Sequence, residues 1–163
     1  MRHVTWALAA LALAAGCKKG PTTGKEFVAK MNEAEKKKDV DAMWNLISKK
    51  SRASLVDNVK KQLESSKSNE KVKKRLQEEL GVTDPAAADP ETVAKKFLGR
   101  QFERDKNPGA AEYVEEKIEG DQVILVTREP GKERDEVVLI REDGVLRIDI
   151  EATDERESKK YRS

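Results

Sequence analysis

Apolar residues change their spacing twice along this chain, which divides it into three parts. An uninterrupted apolar run at residues 4–15 comes first. From Thr23 onward apolar residues recur every three or four positions, the spacing of one buried face of an α-helix. After Gly109 they become continuous or alternate with polar residues, which is typical of β-strands. The pattern therefore predicts an apolar leader, a helical part and a strand part.

Residues that favour helix N-termini precede each segment of helical spacing. They are Thr23, Asp39, Ser51 and Asp89. Glu26 completes a capping box with Thr23. The polar stretch at 65–69 is expected to break the third helix, and Gly81 is expected to end the segment that continues it. The Asn-Pro-Gly sequence at 107–109 ends the last helix.

Four strands are predicted in the third part, joined by short turns. They lie at 111–119, 123–127, 137–140 and 145–150. Asp149 lies between Ile148 and Ile150 in the last of them, so its side chain is expected to face water. Helices followed by an antiparallel meander predict an α+β fold, in which N-terminal helices pack on one face of a curved sheet of about four strands.

The first seventeen residues have the features of a secretory signal. A short positive head precedes the apolar run, which is shorter than the roughly 20 residues of a spanning helix. The run ends in Leu13-Ala14-Ala15-Gly16-Cys17, a stretch that resembles the lipobox of bacterial lipoproteins. The family prefers leucine where Ala14 stands. The resemblance implies cleavage between Gly16 and Cys17 and lipidation of the Cys17 thiol. A conventional signal with an incidental cysteine is the alternative.

These features predict the division of the chain and its place in the cell. Residues 1–16 form a signal peptide, 17–22 a lipidated cysteine with its tether, 23–150 one α+β domain and 151–163 a charged flexible tail. A lipid-modified cysteine holds a protein firmly on a membrane when it carries two or more acyl chains. We therefore expect an extracytoplasmic domain on the cell envelope, anchored to a membrane by lipid.

Composition excludes several kinds of chemistry from the mature chain. Cys17 is the only cysteine and His3 the only histidine. Once Cys17 is lipidated and His3 removed, no disulfide, Cys/His zinc site, thiol nucleophile or histidine base remains. The acidic stretches at 112–119 and 151–157 lack the ligand spacing of a calcium site. No metal and no cofactor is expected.

The balance of charge argues against a nucleic-acid partner. The chain has 33 Lys and Arg against 31 Asp and Glu, with both signs interspersed along it. Such a chain has no strong positive field to attract a phosphate backbone. Aromatic residues make up only 4% of it, which leaves little surface on which bases could stack.

The order of elements resembles the nuclear-transport-factor-2-like superfamily, and the lipoprotein and uncharacterised-domain members of bacterial envelopes in particular. Residues 38–48 (KDVDAMWNLIS) look like that group's second helix, and residues 141–149 (REDGVLRID) look like its closing hairpin. The segment 51–83 is longer and more charged than in a minimal member. The resemblance implies a cone with an open hydrophobic pocket. The candidate lining residues of such a pocket are Phe27, Trp44, Phe97 and Phe102.

Three functions remain open from the sequence. The first is a non-catalytic, membrane-anchored lipoprotein that binds a protein partner or a small apolar ligand. The second is a pocket enzyme of the isomerase or hydratase type, for which carboxylates and Tyr113 would have to converge. Some members of the superfamily, such as ketosteroid isomerase, are enzymes, but fold alone does not give activity. The third is a structural or assembly factor with 51–80 as its partner-binding helix.

Overall fold

The computed structural model describes residues 20–104 and 106–160, and its elements follow the predicted order. In this part of the chain the helices and strands are α1 (Gly24–Lys37), α2 (Val40–Leu46), α3 (Lys49–Ser66), α4 (Glu70–Leu80), α5 (Pro90–Arg104), β1 (Glu112–Glu119), β2 (Gln122–Arg128), β3 (Arg134–Glu142), β4 (Val145–Ile148) and α6 (Ile150–Lys160). Five helices precede a four-stranded antiparallel sheet, so the α+β prediction is confirmed.

Capping side chains determine where the helices begin. The predicted caps at Thr23, Asp39 and Asp89 each accept a hydrogen bond from a backbone amide of the first turn. The third helix starts earlier than predicted, because the Ser48 hydroxyl accepts from the Ser51 amide at 3.1 Å. The break predicted at 65–69 is confirmed, since Asn69 caps α4. Gly81 ends α4 with a left-handed φ of 59°.

The sheet is a simple meander in the order β1-β2-β3-β4. β3 and β4 are joined by the predicted two-residue turn, in which Asp143 and Gly144 both have positive φ. β1 is an edge strand with a bulge between Tyr113 and Glu115. The free edge of β4 is covered by the residues after α2, because the Ser48 amide donates to the Ile148 carbonyl at 2.9 Å.

The first hydrophobic core lies between one face of the sheet and the helices α1, α2 and α5. Its buried residues include Phe27, Val28, Met43, Leu46, Phe102, Val123, Leu125, Leu139 and Leu146. Phe27 has no exposed area. This core holds the N-terminal helices on the sheet, as the sequence predicts.

A second hydrophobic core is made almost entirely by helices. Its buried residues include Trp44, Ile47, Val59, Leu63, Leu76, Leu80, Val82, Val93 and Ala94. The residues of α2 divide between the cores, since Met43 and Leu46 belong to the first while Trp44 belongs to the second. The charged segment 51–83 therefore belongs to a separate helical layer, which α3, α4 and α5 form together.

The predicted flexible tail is wrong for the residues that the structure describes, because 150–160 form the helix α6. Asp149 does not face water either, and only 7% of it is exposed. The strand ends at Ile148, and Asp149 becomes the N-cap of α6 by accepting from the Ala152 amide at 3.1 Å. A residue that caps a helix obeys the geometry of the cap, so strand alternation no longer places its side chain.

The position of α6 follows from the different lengths of β3 and β4. β4 pairs with residues 139–142 only, which leaves the first half of β3 without a strand on that side. The Thr153 hydroxyl accepts from the Val138 amide at 3.0 Å and donates to the Asp149 carbonyl at 2.7 Å. Arg156 bridges Glu119 and Glu136. These polar contacts hold a helix that has no buried residue of its own.

Candidate functional site

The predicted cleavage and lipidation residues, Gly16 and Cys17, lie outside the described residues. Gly20, three positions after Cys17, lies against a strand of the sheet. A Cβ on Gly20 would stand 3.2 Å from the Val145 side chain. The candidate site therefore starts from the place where the chain enters the fold.

Residues 20–22 are fixed to the sheet at β4. The Leu146 amide donates to the Pro21 carbonyl at 2.7 Å, so Pro21 takes the place of a neighbouring strand residue. Pro21 is fully buried. The Arg141 guanidinium donates to the Thr22 carbonyl at 3.1 Å. Pro21 and Thr22 are thus both attached to the sheet by hydrogen bonds.

Two carboxylates secure the start of α1. The Glu26 carboxylate accepts from the Thr22 amide at 2.8 Å and from the Thr22 hydroxyl at 2.9 Å. These two hydrogen bonds hold the pKa of Glu26 below its usual range. The Glu116 carboxylate, on β1, accepts from the Gly24 amide. The segment 20–26 is therefore attached to β1 and β4, the strands at the two edges of the sheet.

The four aromatic residues expected to line one pocket do not converge. Phe27 and Phe102 are buried in the first core, whereas Trp44 is buried in the second and Phe97 packs against it. Phe102 alone of the four lines one of the larger clefts found among the described residues. The predicted pocket lining is therefore wrong: these side chains fill two cores.

The pocket-enzyme alternative calls for a carboxyl group of raised pKa beside Tyr113, and no such raised pKa is resolved in residues 20–104 and 106–160. Tyr113 lies on the edge strand and is 37% exposed. Every carboxyl group there whose pKa departs clearly from its ordinary value has it lowered, as Arg156 lowers that of Glu136 and Lys49 that of Asp143. No group of three or more candidate metal ligands occurs in this part of the chain.

A cleft of about 830 Å³ lies between α2, α4 and α5. We call it the helical groove. Its charged lining residues are Lys38, Asp41, Glu78, Glu79, Lys95, Lys96, Arg100 and Glu103. Lys95 closes over the Trp44 ring, with its ammonium 5.8 Å from the ring centre and 2.9 Å from Asp41. A groove with this lining suits a binding partner whose surface is polar and carries charges of both signs.

A second cleft, of about 640 Å³, lies directly beside the entering chain, and we call it the tether cleft. Its lining residues include Gly20, Pro21, Lys30, Glu33, Lys37, Asp39, Asn45 and Arg147. Arg147 occupies an ordinary polar position of the last predicted strand, so the sequence does not mark it as a site residue. Its guanidinium donates to the Asn45 carbonyl, 102 positions away, and no local pattern shows that contact.

Comparisons of the chain with family models, curated proteins and solved structures found no match. Among the described residues, no helix is long and apolar enough to cross a membrane.

Proposed function

We propose that this protein is a lipid-anchored envelope protein whose domain binds another protein and catalyses no reaction. The observation that carries the proposal is Cys17 at the end of an apolar run, three positions before a chain segment that is fixed to the sheet. An anchor placed there would hold the domain close to the membrane surface. No catalytic residue is proposed.

The anchor is tested by labelling cells with a radioactive fatty acid. The wild-type chain is expected to incorporate label and sediment with membranes, because its thiol is acylated. Cys17→Ala is expected to lose all label, since no other cysteine exists to receive the diacylglycerol. Ala14→Leu restores the residue that the lipobox family prefers and serves as the control, which should label at least as well as wild type. Equal labelling of wild type and Cys17→Ala would contradict the proposal.

We also propose that the domain is a distant member of the nuclear-transport-factor-2-like superfamily. The order of α1 and α2 before a four-stranded meander supports the relationship, and both helices pack on one face of the sheet. The helical layer α3–α5 and the closing helix α6 are additions to that plan. The cone interior of this chain is filled by its own core rather than left open.

The helical groove is the surface that we propose for the protein partner. Its floor includes Val40, Leu80 and Phe102, while its rim carries charges of both signs. A small apolar ligand would leave those charges unmatched, whereas a protein surface can present complementary ones. This proposal also agrees with the assembly-factor alternative, in which the segment 51–80 binds the partner. The helix α4 belongs to that segment and forms one wall of the groove.

The partner surface is tested by exchanging two charges on the groove rim. Glu78→Lys combined with Arg100→Glu keeps the net charge but reverses both sites. We expect at least about tenfold less of any partner cross-linked to wild type in intact cells, because like charges meet across the interface.

The matched control is Glu64→Lys with Lys67→Glu, an exposed ion pair at the C-terminal end of α3 and outside the groove. It should leave cross-linking unchanged. Deletion of 51–80 is not a useful variant, since it removes Val59, Leu63 and Leu76 from the second core. Equal loss in both charge-exchange variants would show that the groove is not the binding surface.

A further inference from the structure

The first half of β3 forms an open edge of the sheet. β4 pairs with residues 139–142 only, so residues 134–138 have a neighbouring strand on the β2 side alone. On the other side, the start of α6 satisfies the backbone of Val138. The Val138 amide donates to the Thr153 hydroxyl at 3.0 Å, and its carbonyl accepts from the Asp149 amide at 2.9 Å. Both backbone groups of Val138 therefore point away from β2.

The backbone groups of two further residues point to the same open side. Every second residue of a strand directs its amide and carbonyl to the same neighbour. Because β2 and β3 keep one register along their whole length, Arg134 and Glu136 follow the direction of Val138. Within the part of the chain that the structure describes, their amides and carbonyls form no hydrogen bond on that side. Such groups are a template for another strand.

A cleft of about 680 Å³ lies along this open edge, and we call it the β3 cleft. Its lining comes from β3, from α1 and α6, and from the connection between α5 and β1. Thr127 of β2 also lines the cleft, although only 6% of this residue is exposed. Its hydroxyl forms no hydrogen bond with any described residue. A buried hydroxyl without a partner is stabilised by a ligand that supplies one.

The lining of the β3 cleft carries an excess of negative charge. Three of its residues are basic and six are acidic, namely Lys132, Arg134 and Lys160 against Glu35, Glu129, Glu133, Asp135, Glu136 and Glu157. Arg156 is close to the cleft, but it is balanced by Glu119 as well as by Glu136. The charge of the cleft therefore favours a positively charged occupant.

Three of these carboxylates form no ion pair within residues 20–104 and 106–160, namely Glu133, Asp135 and Glu157. Asp135 and Val137 share the face of the sheet that holds the first core. Glu157 projects from α6, which contacts the opposite face through the pair of Arg156 and Glu136. Basic side chains on either face of an added strand would therefore meet an unpaired carboxylate.

A metal ion and a second copy of the chain fit this cleft less well. No group of three or more carboxylates in the described residues is placed to hold a metal ion. The other open edge of the sheet is β1, whose eight residues include four glutamates and one lysine. Pairing β1 of a second copy with β3 would bring like charges together across the new ladder. The occupant that fits is an extended segment of another protein, rich in lysine or arginine.

We propose that an extended, basic segment of another protein adds as a strand to the open edge of β3. Its backbone bonds to the amides and carbonyls of Arg134 and Glu136, which gives the affinity of an added strand. Its basic side chains pair with Glu133, Asp135 and Glu157. This site is separate from the helical groove and does not depend on the lipid anchor, so it goes beyond the function proposed above.

The proposal is tested with a short fluorescein-labelled peptide of alternating lysine and valine. Fluorescence anisotropy should show saturable binding to the purified full chain, and the binding should weaken as salt is added. A peptide of alternating glutamate and valine should not bind. The lysine peptide methylated at every backbone amide keeps its charges but has no amide hydrogen to donate. We expect it to bind at least about tenfold more weakly.

Arg134→Pro separates the backbone contribution from the charge. Proline is tolerated at the first residue of a strand, and here it removes an amide that points away from β2. Loss of the positive charge alone should strengthen binding of a basic peptide, which Arg134→Gln measures. We therefore expect Arg134→Pro to bind the lysine peptide at least about fivefold more weakly than Arg134→Gln does.

Asp135→Asn combined with Glu157→Gln tests the charges, and we expect about fivefold weaker binding. The matched control is Asp121→Asn with Glu155→Gln. It removes the same charges from the turn between β1 and β2 and from α6, at positions that do not line the cleft. The control should bind as wild type does. Circular dichroism melting checks the fold of each variant.

Several outcomes would overturn the proposal. Absence of lysine-peptide binding at about 1 mM would do so. Equal binding of the methylated peptide would show that no strand is added, and spermidine binding as tightly as the peptide would indicate a site for a small cation. The groove variant Glu78→Lys with Arg100→Glu should bind the peptide normally. Failure of the helical groove and failure of the β3 cleft are therefore distinguishable.

Discussion

Phe27→Ala is expected to lower the free energy of unfolding by about 3–5 kcal/mol. Phe27 has no exposed area and lies in the first core, where α1 meets the sheet. Its removal leaves a cavity between a helix and strands that cannot close together, because α1 is also fixed by its cap and by Glu116. Chemical denaturation followed by circular dichroism measures the loss.

Ile118→Ala is the matched control for this cavity. Ile118 is also a large apolar residue, but it lies on the edge strand and is 76% exposed. Its truncation should change the free energy of unfolding by no more than about 0.5 kcal/mol. If the two variants were destabilised equally, the burial assigned to α1 on the sheet would be incorrect.

Gly109→Ala is expected to cost about 2–4 kcal/mol, the second large effect. Gly109 has a φ of 70°, which an alanine adopts only at a cost. A Cβ there would also stand 2.5 Å from the Asn32 carbonyl oxygen, a backbone atom of α1 that cannot move aside easily. Thermal and chemical unfolding of the variant measure the cost.

Gly131→Ala separates the two causes. Gly131 has a similar φ of 77°, but nothing lies within 4 Å of a Cβ built on it. This variant should therefore show only the conformational cost of the left-handed backbone, about 1 kcal/mol. A loss in Gly109→Ala no greater than in Gly131→Ala would mean that the connection between α5 and β1 does not pack closely on α1.

Local chemistry explains which parts of the fold could be predicted from sequence. The caps at Asp39 and Asp89, the end of α4 at Gly81 and the turn at Asp143 and Gly144 each depend on residues within a few positions of one another. Hydrogen bonds and backbone preferences of that range act in any fold, so the sequence shows them. The order of these elements then gave the α+β class.

The candidate pocket failed because its residues come from distant elements. Helical spacing shows that Phe27 and Trp44 each face a hydrophobic core. It does not show that the protein has two separate cores. α2 contributes to both cores, with Met43 in the first and Trp44 in the second. A single amphipathic stripe cannot reveal this division, which depends on where α3–α5 pack.

The closing helix α6 was missed for a different reason. A helix is recognised from sequence by an apolar stripe, and α6 has no buried residue. Thr153 bonds to β3, and Arg156 pairs with Glu119 on β1 and Glu136 on β3, so polar contacts hold the helix. Charged residues at the end of a chain therefore do not by themselves indicate a flexible tail.

The bond between Pro21 and β4 also determines how the protein would respond to tension. A pull on Cys17 would enter the fold at the Leu146 amide and the Arg141 side chain, and so would load the sheet first. The helical layer α3–α5 lies off this path, since residues 20–24 are bonded only to α1 and the strands in the contacts described above. A pull on Cys17 would therefore reach the helical layer only through the sheet and the first core.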